Sequence, residues 1–460
     1  MPVMQSRQET YDYMVCSSVS RLIITLAVPS VLSLMISSFY NLADTYFVGQ
    51  IGTSATAAVG VAYPLMTLIQ AIGLMFGKGC GTSVARLLGK QDTEQAEEMA
   101  IWGVSAVFAF TSVLMLAGLL LTDPLTIILG STPTIAPFAK AYMVYVLIAM
   151  PFHASSVTLS SLLRFQGMFT RSMVGLSSGA ILNVVLDPIF IFGLGMGIKG
   201  AAMATMLSEM VSFFILLLQF RNKASIHLSF YRLRFSWKAL IELLSGGLPS
   251  FMKNGLSSIA AVLLNTAAGV YGDAAVAAFS IVSRYVHMCQ TIYFGVGESY
   301  QSLCSFNYGA KKFERIISGF WFCIKLGIIY VLAVSSLSYL FARPIVALFR
   351  RDDLQVIQIG VLAMRAQMAT LFLLPLCSTA FVMLQGIGKN GRAMLSGTAR
   401  QGLFLVPILL VLPKIFGLWG IILAQPCSDI LAFLISVYLV RPVLKELLLD
   451  SPLRGSPNQE

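Results

Sequence analysis

Residues 22–49 read LIITLAVPSVLSLMISSFYNLADTYFVG. The opening run, LIITLAVPSVLSLMISS, has no charged residue and is long enough to enter a bilayer. Shortly after it comes Asp44. A carboxylate at the centre of a helix in lipid costs about 2.5–3.5 kcal/mol on insertion scales, so such residues are rare and usually face a cavity. The alternative is a position at the headgroup level, where a charge costs little. The rest of the chain bears on that choice.

Apolar runs of similar length recur along all 460 residues, at roughly 22–46, 54–77, 98–122, 136–158, 173–193, 198–220, 239–268, 275–303, 316–341, 355–382, 394–413 and 417–440. The composition agrees: 57% of residues are hydrophobic and 11% charged, and the mean hydropathy is +0.82. Ordinary soluble domains are about one quarter charged. Connections such as GQIGTS and GVYGDAA are too short to hold a soluble domain. The fold class is an all-α integral membrane protein with about twelve transmembrane helices.

The net charge of +11 bears on orientation. With the N-terminus cytoplasmic, nineteen Lys and Arg fall in inner loops and tails and five fall outside (Lys199, Arg343, Arg350, Arg351 and Lys414). This bias predicts that both termini are inside. The first 20 residues lack the apolar core and cleavage site of a secretory signal, so the first span is expected to act as its own targeting signal. The seven cysteines are scattered and form no C-x-x-C, which reads as small packing residues rather than a disulfide framework or a metal site.

The second half of the sequence repeats the first in a constant register. Pro29–Ser30 meets Pro249–Ser250, Ala57–Ala58 meets Ala277–Ala278, and Gln70, Gly77 and Gly89 meet Gln290, Gly297 and Gly309. Each copy holds about six spans, an even number, so both insert in the same direction, as in transporters built from parallel repeats. The predicted organisation is a cytoplasmic tail (1–20), an N-lobe with spans one to six (21–220), a basic linker RNKASIHLSFYRLRFSW within 221–238, a C-lobe with spans seven to twelve (239–441) and a cytoplasmic tail (442–460).

Where the copies differ, a task rather than a scaffold is indicated. Asp44 corresponds to Leu264, and Asp187, in LNVVLDPIFIFG, lies opposite the apolar run LFLVPILL. Asn183 is four residues before Asp187, on the same helix face. Pro188 removes a backbone donor and loosens the preceding turn. Thr205 adds a hydroxyl from the sixth span. Two carboxylates, an amide and a hydroxyl can hold a proton, because burial and a like charge favour the neutral carboxyl group, or they can ligate a hard cation such as Na⁺. The competing reading makes Asp187 a helix cap beside Pro188.

The segments NLADTYFVG, LNVVLDPIFIFG, GIKGAAMAT and SVARLLGK, together with the two-lobe repeat, resemble the bacterial MATE (multidrug and toxic compound extrusion) family over residues 20–440, and most of all its MepA-like branch. The resemblance implies two six-helix bundles that alternate between inward- and outward-open states and export amphipathic compounds against H⁺ or Na⁺. It places the cation-coupling site at Asp44, Asn183, Asp187 and Thr205. Acidic residues used by the NorM-like branch on spans seven and ten have no counterpart well inside those spans here, since Glu242 lies near a cytoplasmic end. Glu298 matches an acidic position on the eighth span of MepA-like members, and its repeat mate is Lys78. The two are expected to line the substrate cavity or to form a gate.

Lys253, Arg284, His287 and Arg400 place cationic groups in or near C-lobe spans. Lys253 and Arg284 are candidate cavity residues, whereas snorkelling gives Arg284 and Arg400 a structural alternative. A cationic C-lobe supports a second reading, export or flipping of an anionic, zwitterionic or lipid-linked compound. An ion channel fits less well, because no pore-filter motif is visible. Glu209 and Asp429 are repeat mates and read as scaffold. GIGKNG (386–391) is a literal G-x-G-x-x-G, but it joins two apolar spans and not a strand to a helix, which excludes dinucleotide binding. No G-x-x-x-x-G-K-[ST] or H-E-x-x-H occurs, and three isolated histidines are poor material for an enzyme. The expectation is a monomeric, multi-pass protein of the bacterial inner membrane, with small amphipathic substrates, no nucleotide or nucleic acid, and no cofactor beyond the coupling ion.

Overall fold

A computed structural model describes residues 6–221, 226–228, 236–350 and 353–450. Most of the basic linker, the last ten residues and Arg351 lie outside the described residues. The described chain is helical and contains no strand.

Contacts divide the protein into two compact units, Met1–Cys16 with Val28–Gly247, and Ser17–Ala27 with Leu248–Glu460. In the first half of the chain the helices are α1 (Arg7–Cys16), α2 (Val19–Ile51), α3 (Thr53–Gly89), α4 (Thr93–Leu120), α5 (Thr122–Ile128), α6 (Ala136–Phe165), α7 (Phe169–Pro188) and α8 (Ile198–Gln219). The second half holds α9 (Trp237–Gly269), α10 (Asp273–Gly309), α11 (Phe313–Leu340), α12 (Ala342–Phe349), α13 (Leu354–Met368), α14 (Leu374–Gly386), α15 (Asn390–Thr398), α16 (Leu405–Phe416) and α17 (Leu418–Leu449). The short helices α5 and α12 start at repeat mates, Thr122 and Ala342, and hydropathy does not separate them from the spans before them. Among the described residues, the two non-glycine residues with positive φ are also repeat mates: Gln91 (φ 62°) ends the turn after α3, and Lys311 (φ 56°) ends the turn after α10. The repeat therefore extends to backbone conformation.

Ten helical stretches among the described residues are long and apolar enough to cross a bilayer. Helices α9 and α10 are as long but fall short in hydropathy, because Lys253 and Asn254 interrupt one, and Arg284, His287, Gln290 and Glu298 interrupt the other. Large apolar side chains such as Phe39, Leu120, Ile128 and Tyr438 are exposed, as expected of surfaces solvated by lipid.

With lipid as solvent, helices associate through close packing of small residues and through hydrogen bonds worth about 0.6 kcal/mol each. In the first unit, Gly73, Gly77 and Gly81 recur every four residues along one face of α3 and receive α6. A Cβ at Gly73 would lie 2.9 Å from the Ala154 carbonyl oxygen, one at Gly77 2.7 Å from Ser161 Oγ, and one at Gly81 would enter the Phe165 ring. Thr158 Oγ1 donates across this seam to the Gly73 carbonyl at 3.2 Å. The second unit replaces two of these glycines with polar side chains. Tyr293, the mate of Gly73, donates to the Pro375 carbonyl at 2.8 Å, and Gln301, the mate of Gly81, donates to Gln385 Oε1 at 2.8 Å. Gln385 in turn donates to Ser250 Oγ at 2.9 Å. Its apolar core gathers Phe279, Val331, Met364, Leu405 and Ile421.

Candidate functional site

The first unit positions the predicted cation residues through one stripe on α7. Gly175, Gly179, Asn183 and Asp187 are spaced four apart and share a face. A Cβ at Gly179 would meet the Ser208 carbonyl at 2.9 Å, and Ser212 Oγ donates to the Gly175 carbonyl at 3.1 Å. This close approach brings α8 near enough for Thr205 to reach Asn183. Pro188 cannot donate a backbone hydrogen bond, and beyond it the backbone changes to a π-helical turn over Ile189–Gly193. Gly200, at the start of α8, packs on the Phe190 backbone, where a Cβ would lie 2.7 Å from the Phe190 carbonyl oxygen.

All four predicted residues are buried, Asp187 completely, and all lie in the first unit. Asp44 is 8% exposed, which does not fit a charge resting among headgroups. The helix runs on past Asp187 into the π-turn, and no side-chain cap is formed there, so the capping alternative does not apply. The two carboxylates are close enough to interact electrostatically. Asn183 connects Asp187 to Thr205. With its amide nitrogen towards Asp187 it donates to Oδ2 at 2.9 Å, while its oxygen accepts from Thr205 Oγ1 at 3.2 Å.

Asp44 Oδ1 and Asp187 Oδ1 are buried and have no hydrogen-bond partner among the described residues. Buried carboxylate oxygens without partners are unfavourable unless a proton or cation joins them. The donor set of carboxylate, amide and hydroxyl oxygens fits a hard monovalent cation as well as a proton. No group of three His, Cys, Asp or Glu able to hold a metal occurs among the described residues. An apolar cavity of about 340 Å³ opens beside Tyr40 and Ala43, lined by Leu32, Met35, Phe39 and Val184.

The remaining candidates fall on both units. Lys78, in the first, holds Nζ 5.5 Å from the Phe165 ring centre. In the second, Lys253 Nζ lies 5.3 Å from the Phe294 ring and 4.6 Å from the Phe381 ring, Glu298 is half-buried, and Arg284 is exposed. Glu242 accepts from Ser83 Oγ at 2.9 Å and lies 3.5 Å from Arg86 Nη2, an engaged position near a helix start. GIGKNG is a turn between α14 and α15 in which Lys389 pairs with Glu446 at 3.0 Å.

Repeat mates Glu209 and Asp429, read as scaffold, each have an ion-pair partner, and the partners differ. Asp429 pairs with Arg400 Nε at 2.7 Å and also accepts from Gln425 and Thr370, whereas Glu209 Oε1 lies 2.9 Å from His153 Nδ1. His153 is therefore not an isolated histidine. The available signal was an acid and a histidine both inside apolar spans. Their pairing was hidden because they lie on different helices.

The MatE family model matches residues 29–189 and 249–410, two stretches whose starting points, Pro29 and Pro249, are mates in the internal repeat. Multidrug export protein MepA of Staphylococcus aureus (strain NCTC 8325 / PS 47) is 26% identical over 443 residues, covering 95% of this chain and 97% of that protein. Among solved structures, the outward-facing conformation of a multidrug resistance MATE family transporter of the MOP superfamily is 25% identical. It covers 98% of this chain and 100% of that one, with a TM-score of 0.89. A MOP superfamily transporter from Pyrococcus furiosus, described as having a binding pocket of reverse polarity that suggests a different function, is 26% identical. Coverage is 96% of this chain and 99% of that one, with a TM-score of 0.88. Helix content, membrane-spanning lengths, repeat and relatives agree: the chain belongs to the MATE family and is a multi-pass membrane transporter, not an enzyme.

Proposed function

We propose that the protein is a secondary antiporter of the bacterial cytoplasmic membrane, with both termini inside, working as a monomer. It exports amphipathic cationic compounds in exchange for H⁺ or Na⁺ by alternating access. The observation that carries this reading is the buried Asp44–Asp187 pair, whose Oδ1 atoms lack partners among the described residues and whose neighbours Asn183 and Thr205 offer further oxygens. The second repeat has no such pair at the matching positions, where Leu264 and Pro407 stand. An ion entering this pocket and a substrate favouring the other conformation, or competing for the same carboxylates, suffice for coupling. The apolar cavity beside Tyr40 suits the greasy part of such a substrate.

Proteoliposomes with a pH-sensitive dye inside and an imposed ethidium gradient test this directly. Substrate-driven proton movement in sodium-free buffer that disappears in Asp44→Asn is the result expected for H⁺ coupling. Ethidium movement that requires sodium, is not accompanied by a pH change and is lost in the same variant assigns Na⁺. Coupled movement that survives Asp44→Asn overturns the role of this residue.

A second reading, transport of an anionic or lipid-linked compound, draws support from the second unit. There Lys253 lies against two aromatic rings and Arg284 is exposed on α10. In the same liposomes, a response to an anionic dye that is lost in Lys253→Gln would favour it over cation export.

A further inference from the structure

The first unit contains a pair of titratable groups that the Asp44–Asp187 centre does not use. His153 on α6 places Nδ1 2.9 Å from Glu209 Oε1 on α8, with the side chains 31% and 20% exposed. Both lie in the middle of apolar helices, where charged groups are costly and tend to mark ion or substrate pathways. Glu209 is four residues beyond Thr205, on the same face of α8 and about 6 Å further along it. Tyr40 of α2 is within electrostatic reach of Asp44, Asp187, Tyr142 and Glu209 together, so the pair shares a neighbourhood with the proposed cation site.

The surroundings leave Glu209 as the charged partner of the imidazole. Among the described residues it is the charged group acting on His153. Several other charged groups on the elements packed around α6 and α8 are engaged elsewhere, while Glu94 and Glu98 lie on α4 and Lys199 at the start of α8. Lys78 lies over Phe165, Arg86 bonds Ser83 and Glu242, and Glu97 pairs with Arg7. Asp123 pairs with Lys140, and Arg171 contacts Met168. Asp187 is the acid already described. Phe152, next to His153, meets Phe213, one turn beyond Glu209, at 5.6 Å and Phe108 at 5.9 Å. These rings lie on the same two helices as the pair and on α4, and ring faces attract organic cations.

The repeat provides an internal comparison. In the second unit the mate of Glu209, Asp429, pairs with Arg400, a guanidinium that stays charged at any physiological pH. In the first unit the counter-ion is histidine, the side chain able to gain and lose a proton near neutrality. One copy keeps a permanent ion pair and the other an exchangeable one.

We propose that His153 and Glu209 form a second proton-holding site, distinct from Asp44 and Asp187. The imidazole carries a proton while Glu209 is its counter-ion, and it releases that proton when an organic cation takes the carboxylate. The inference rests on the cation-antiport reading and adds a second exchangeable proton to it.

Calorimetry on the purified full-length protein, titrated with tetraphenylphosphonium in two buffers of different ionisation enthalpy near pH 6.5, counts protons released per cation bound. The wild type is expected to release about one proton more than His153→Arg, which preserves the ion pair but cannot give up its proton. Asp44→Asn is expected to lower the count independently. Equal release by wild type and His153→Arg overturns this proposal while leaving the Asp44 reading intact. A loss in His153→Arg with no change in Asp44→Asn leaves this site standing and removes Asp44 from proton coupling, though not from Na⁺ coupling. Absence of cation binding overturns displacement by a cation. Independently of any ligand, ¹³C-labelled histidine NMR, with His153→Gln for assignment, is expected to show the ring titrating between about pH 5 and 8, with its midpoint moved by Glu209→Gln. A His153 signal that does not titrate in that window overturns the proposal by itself.

Discussion

At the scale of single residues, Thr205 distinguishes a chemical from a packing role. Its single hydroxyl proton is placed between two acceptors, the Ala201 carbonyl at 3.1 Å and the Asn183 amide oxygen at 3.2 Å. Thr205→Val keeps the shape but removes the oxygen. The expected outcome is coupled transport reduced by several-fold, with a stability change of about 1 kcal/mol or less, whereas Thr205→Ser retains most transport. Proteoliposome flux and a thermal melt on the same samples check both parts, and equal transport by Val and Ser variants would leave Thr205 as packing only. Asn183 and Asp187 were legible as a pair because a spacing of four on a helix fixes a common face. Thr205 was legible as a hydroxyl inside the sixth span, and the resemblance to the family's pattern then tied it to the site. His153 and Glu209, separated by most of two helices and a loop, gave no local signal of pairing.

At the scale of elements, the glycine stripe on α3 makes a sharp prediction because its repeat mate is a control. A Cβ at Gly77 would lie 2.7 Å from Ser161 Oγ and 2.9 Å from Ser161 Cβ, while at its mate, Gly297, nothing lies within 4 Å. Gly77→Ala is expected to destabilise the protein by about 1–3 kcal/mol through overpacking of the α3–α6 seam. Gly297→Ala is expected to be neutral or slightly stabilising, since alanine favours the helix. Melting temperatures of the two variants in one detergent test this, and equal shifts would refute it. Hydropathy made most spans legible, but it did not show where helices end. Helix α3 runs to Gly89, well past its apolar run, because backbone hydrogen bonding continues until Gln91 adopts positive φ. It also missed the π-turns at Ile189–Gly193 and Ala399–Phe404, which depend on neighbouring helices as well as local sequence.

At the scale of the whole molecule, the constant register between the two halves made the duplicated architecture readable, since helices, turns and even strained positions recur in it. The physical content of the two copies was not readable in the same way. One copy packs α3 on α6 through glycines and the other packs α10 on α14 through tyrosine and glutamine, with the same helix order. The modest hydropathy of α9 and α10 also has a consequence for biogenesis. A helix leaves the translocon for lipid when its own transfer energy is favourable, and these two, interrupted by Lys253, Arg284 and Glu298, are poor candidates to leave alone. The second copy therefore has to be assembled with help from helices made before or after it. Chains truncated after α4 are expected to be fully integrated, whereas in chains truncated after α10 a glycosylation site engineered between α9 and α10 should stay largely unmodified, as glycosylation mapping would reveal. Synthesis of this protein then has a vulnerable interval, opening when α9 emerges from the ribosome and closing when α11 arrives.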